Sequence, residues 1–151
     1  MPSSVSSEKI GSRLYIHTYD HDPGATTAIL GGPDGGTTIR QVDMRDYEVF
    51  GVLAAPAVIA AGGLIKLEIV ASSTTTFSTV VQVKDSGAVA GDALEDNVFL
   101  ECTASEVVQL GSTLRYCAAR VTMATSTDEA KLTYIGVPKR AYTGLTATAI
   151  T

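Results

Sequence analysis

The side chains best suited to chemistry are the two histidines, and both fall in one short run, His17-Thr18-Tyr19-Asp20-His21-Asp22. Imidazole nitrogens beside carboxylate oxygens suit zinc or a similar ion, so His17, Asp20 and His21 are the candidate metal ligands. A tetrahedral set would need donors from elsewhere, and the sequence has no second His or Cys cluster. The simpler reading is a strand end followed by an Asp-Pro-Gly turn (Asp22, Pro23, Gly24) whose carboxylates cap backbone amides. On that reading no metal and no other cofactor is expected.

The remaining candidates are weighed the same way. The run GGPDGG at residues 31–36 lacks the Lys-Ser/Thr of a phosphate-binding loop and opens no helix, so it reads as a turn. There is no Gly-x-Ser-x-Gly elbow for acyl transfer. Asp43, Asp46 and Glu48 could supply two carboxylates for glycoside hydrolysis. The chain has no Trp and is only 6% aromatic, which leaves few rings to stack on a sugar. A charged turn ahead of a strand is the plainer account. Cys102 and Cys117 sit among apolar residues, where a thiol behaves as a small hydrophobe, and their pairing stays open. No enzyme is expected, and no catalytic residue is assigned.

The elements that would position these residues are mostly strands. At 151 residues one domain is the default, with enough chain to bury a core without staples. Hydrophobic residues make up 45% and charged residues 18%, below the ~25% usual for soluble domains. That shortage of charge points to surface that meets other protein. Net charge is −5, with no basic run longer than Lys139-Arg140, which argues against nucleic acid as a partner. Residues 49–65 are uncharged but too short to span a bilayer, and they contain Pro56 and Gly62-Gly63. They read as two buried strands around a turn, so no membrane partner is expected. The polar opening MPSSVSSEKIGS carries no cationic-then-apolar leader, and synthesis in the cytoplasm is the expectation.

Alternation and turn residues predict strands over residues 13–18, 25–30, 37–42, 47–53, 64–70, 77–84, 98–102, 114–124 and 130–135. Residues 86–97 read as a long loop and 125–129 as a hairpin loop. Tyr47 to Leu53 looks apolar on both faces, as a central strand would, and residues 64–70 look half-buried. The most patterned stretch is 97–135. Within it Thr103-x-x-Glu106 has capping-box spacing, and Gly111 stands where a left-handed cap would end a short helix. The expected fold is all-β, an antiparallel β-sandwich or jelly-roll-like domain with one short helix. Residues 1–12 would be a flexible N-terminal arm, 13–137 the sandwich, and 138–151 a tail or edge strand.

The segments VDMRDYEVF (42–50), FLECTASEVVQLGSTLRYCAARV (99–121) and ATSTDEAKLTYI (124–135) resemble small virion structural proteins of tailed bacteriophages, of the head decoration or cement type. The resemblance implies a non-enzymatic domain on the capsid exterior that binds the major capsid protein, as a homo-oligomer with a trimer favoured. It transfers no catalytic residues. From a different class, a receptor- or glycan-binding β-domain of a phage tail or fibre is the alternative. A small metal enzyme around His17 and His21 is a third.

Overall fold

The computed structural model describes residues 14–21, 27–29, 39–58, 64–90 and 97–139. In chain order the elements are β1 (Tyr15–His21), β2 (Thr27–Ala28), β3 (Val42–Asp43), β4 (Tyr47–Val58), β5 (Leu64–Ser72), β6 (Val81–Ala90), β7 (Val98–Thr103), α1 (Ala104–Leu110), β8 (Tyr116–Met123) and β9 (Glu129–Pro138). The first sheet runs β1-β9-β4-β7. The second runs β2-β8-β5-β6, with β3 also on β8, and every pairing is antiparallel.

β2 and β3 meet the same edge of β8 at successive positions, Thr27↔Thr122 and then Val42↔Cys117. They act as two pieces of one interrupted strand. Counted so, the eight strands follow the order of a jelly roll, with the first strand beside the last in one sheet and the second beside the seventh in the other. The sandwich and jelly-roll alternatives thus resolve to the jelly roll.

Period-2 alternation builds the core between the sheets. β4 sends in Phe50, Val52 and Ala54, β5 sends in Ile65, Leu67 and Ile69, and β8 and β9 add Val121 and Leu132, all at 0% exposure. β4 is central, between β9 and β7, as its apolar faces predict. The break in the β2–β3 edge leaves the amide of Ala119 without a ladder partner on that side. Tyr134 of the opposite sheet reaches across and supplies one. Its hydroxyl accepts from the Ala119 N–H at 2.8 Å and donates to the Arg40 carbonyl at 3.3 Å. Burial pushes the Tyr134 phenol well above its ordinary pKa, so it stays neutral and able to donate.

Three expectations about strands and loops are corrected. Residues 86–90 are not loop: β6 runs to Ala90, because Gly87 at φ 68° makes a bulge that lets the ladder resume beyond it. Ser86 Oγ accepts the Leu67 N–H in the gap. Phe77 lies outside β6, in the loop at 73–80, which folds back over the second sheet and buries the ring. The segment at 125–129 is not a hairpin loop, because β8 and β9 belong to different sheets. The segment crosses between the layers, closed by Asp128 carboxylate bonds to the Thr125 N–H and hydroxyl.

The capping box forms as its spacing predicts. Glu106 N–H donates to Thr103 Oγ1 at 3.3 Å, and Thr103 N–H donates to Glu106 Oε2 at 2.8 Å. Gly111 closes the helix through its N–H on the Val108 carbonyl, but at φ 177° it is extended rather than left-handed. That position does not require glycine's conformational freedom.

Candidate docking face

Strand alternation makes the outer face of the first sheet readable row by row. Thr18, Thr133, Leu53 and Phe99 stand side by side across β1, β9, β4 and β7. Ile16, Ile135, Gly51 and Glu101 form the next row. An antiparallel sheet that faces water on one side normally carries polar residues there. Here the solvent face holds Ile16 at 59% exposure and Phe99 at 50%, with Leu53 and Ile135 half-buried between them. The Phe99 ring lies flat across Gly51, where an added Cβ would meet it at 3.1 Å. Charge stays at the rim of this face, with the exposed pair Lys131–Asp20 at 3.9 Å and with Glu101.

The second sheet treats its outer face differently. Val70 and Ala118 are fully buried there under Phe77, with Ile29, Ile39 and Val80 packed against them. The predicted half-buried β5 is therefore covered on both sides. Beside this patch Glu68, at 3% exposure, receives Arg120 Nε at 2.7 Å and Nη2 at 2.8 Å, and Lys66 bridges Glu68 and Asp85. The Arg120 guanidinium holds the Glu68 carboxyl below its usual range despite burial. Among the described residues one outer face is thus covered by the chain itself, and the other is apolar and bare.

A cleft of about 390 Å³ opens between α1, the turn joining β3 to β4, and the start of β8. Met44, Val107 and Leu114 line it with apolar surface, and Arg45, Arg115 and Lys139 line it with cations. Arg115 Nε donates to both Asp43 oxygens, at 2.8 and 2.9 Å, and its Nη2 also bonds Oδ2. Glu106 is drawn to the other side, where Lys84 Nζ lies 2.6 Å away and holds its carboxyl below the ordinary range.

Of the candidate ligands, the strand separates His17 from Asp20. His17 and Asp20 fall on opposite faces of β1. His17 stacks on the Tyr19 ring at 4.4 Å, and Asp20 faces Lys131. His21 ends the strand opposite Ala130. Among the described residues no group of three or more His, Cys, Asp or Glu side chains could hold a metal ion. The 31–36 turn lies outside the described residues. Asp43 is occupied by Arg115, while Asp46 and Glu48 are exposed. Cys102 and Cys117 are free and buried, and they meet across the core although β7 and β8 share no ladder. The thiol–thiol hydrogen bond, then burial, pushes Cys117 far up, which keeps it protonated and unreactive.

Sequence reasoning missed both the bare face and the cleft. The face had a signal, since Ile16, Leu53 and Phe99 occupy the phase of each strand that the core does not use. The cleft had none, because its lining comes from segments far apart in sequence.

No protein family and no curated protein sequence matches the chain. Among solved structures, one of infectious bursal disease virus (Gt strain) aligns with a TM-score of 0.38 and 13% identity. The alignment covers 85% of this chain and 32% of that one, so this chain spans about a third of the viral chain's length. At so low a TM-score the fold rests on the strand order alone.

Proposed function

We propose that this protein is a non-enzymatic virion structural protein of a tailed phage, which decorates the capsid exterior and stabilises it by binding the major capsid protein. The observation that carries this is the bare apolar outer face of the first sheet, next to a second sheet whose own outer face is covered. Exposed apolar patches mark protein contact surfaces. Jelly rolls are a recurrent architecture of viral capsid domains, though they also build lectins and cupins, so the fold supports the reading without deciding it. The resemblance of the three segments to phage head proteins points the same way.

Size also bears on assembly. Four strands about 4.8 Å apart and roughly 20 Å long present about 400 Å² of face. A stable interface usually takes about 800 Å² from each partner. One such face is therefore a weak anchor, and a homo-oligomer that engages several lattice sites at once gains the missing affinity through effective concentration. A trimer suits that need.

The test is to compare particles assembled with and without the protein. The proposal expects the protein on the purified particles, and faster inactivation by heat, low salt or chelation when it is absent. Matching inactivation curves, with no protein on purified particles, would remove the proposal.

A further inference from the structure

We propose that the cleft beside α1 is a second binding site, which takes an acidic segment of a partner protein carrying an apolar side chain between carboxylates. The cleft has an apolar floor and a cationic rim, with no carboxylate among its described lining residues. Its volume is near the lower end of the ~300–1,000 Å³ usual for ligand pockets, room for one or two side chains rather than a large ligand. Met44 and Val107 are buried at its base, and Leu114 closes one wall.

The charges decide the class of occupant. Elsewhere on the described surface Lys66, Lys84 and Arg120 each meet a carboxylate at 2.9 Å or less. At the cleft, Arg45 and Arg115 share the single carboxylate of Asp43, and the salt bridge from Arg45 is long, at 3.8 Å. Lys139 joins them, anchored by its N–H on the Asp46 carbonyl at 2.9 Å. The Asp46 side chain is exposed and does not line the cleft. In a chain of net charge −5 this is a local positive excess over an apolar floor. An acidic segment gains on both counts, by charge pairing at the rim and by burying its apolar side chain. A basic or purely apolar segment gains on one at most. The site stands without the capsid proposal, because it is defined on the isolated protein and uses none of the sheet-face residues.

The probe is a fluorescent acetyl-Glu-Asp-Leu-Glu-Asp peptide, titrated with the full chain and followed by anisotropy. Saturable binding is expected, weakening as salt rises. A loss of about tenfold or more is expected in the double variant Arg45→Glu/Lys139→Glu, with its melting temperature retained. Replacing the peptide's Leu with Gly should also weaken binding. Absence of binding, equal binding by the double variant, or equal binding of a Lys-for-Glu/Asp peptide would overturn the site. Oligomeric state is checked in parallel by sedimentation in the analytical ultracentrifuge. If the wild type self-associates and Arg45→Glu/Lys139→Glu returns it to monomer, a second copy occupies the cleft and the assignment to another protein fails.

Discussion

Tyr134 shows how much one side chain does here. Its ring packs edge-on against Phe50 at 5.0 Å and Tyr19 at 5.2 Å, and its hydroxyl serves the amide stranded between β2 and β3. Tyr134→Phe keeps the ring and leaves the Ala119 N–H buried without that partner. Chemical denaturation should show a loss of about 1–3 kcal/mol, and a stability equal to wild type would mean the amide is satisfied another way. Two glycines separate cleanly by the same reasoning. A Cβ at Gly136 would stand 2.5 Å from the buried Tyr47 ring, so Gly136→Ala should cost about 1–3 kcal/mol. A Cβ at Gly111 meets only Leu114, at 3.2 Å and on ordinary extended backbone, so Gly111→Ala should cost less than about 1 kcal/mol. Equal losses at the two positions in thermal melts would contradict the contacts described.

At the scale of elements, the strands were legible wherever apolar residues alternate. β4, β5, β8 and β9 are all visible in the sequence, and so is the capping box that starts α1. What stayed hidden depends on which sheet a strand joins. Nothing local in residues 124–128 distinguishes a hairpin from a crossing between layers, and nothing local in Lys66 and Glu68 says that their face is covered. Pro56 lies inside β4 because β7 has already ended, its last pair being Ala54↔Val98, so the missing donor falls where only β9 is paired. The bridge from Glu68 to Arg120 joins β5 to β8 and carries a pH signature. A carboxyl held below its unfolded value of about 4.3 contributes stability above that value and loses it as pH falls through the folded one. The stability gap between wild type and Glu68→Gln should therefore be widest near neutral pH and should shrink below about pH 4. A gap that stays constant down to pH 3 would show that Glu68 draws nothing from its charge.

For the whole molecule, the jelly-roll order explains why one outer face is covered and the other is not. The loop at 73–80, with Ile29 and Ile39, packs over the second sheet, whereas β1, β9, β4 and β7 leave Ile16, Leu53, Ile135 and Phe99 facing outward. Among the described residues His17 and Asp20 point apart and Asp43 is held by Arg115, and the surface that stands out is apolar. The central claim is that this face is the contact with the capsid. It is tested most directly by binding the purified double variant Ile16→Asp/Phe99→Asp to capsids assembled without the protein. Both side chains are at least half exposed, so the melting temperature should hold while capsid binding falls by about tenfold or more. Undiminished binding by a folded Ile16→Asp/Phe99→Asp protein would contradict the account.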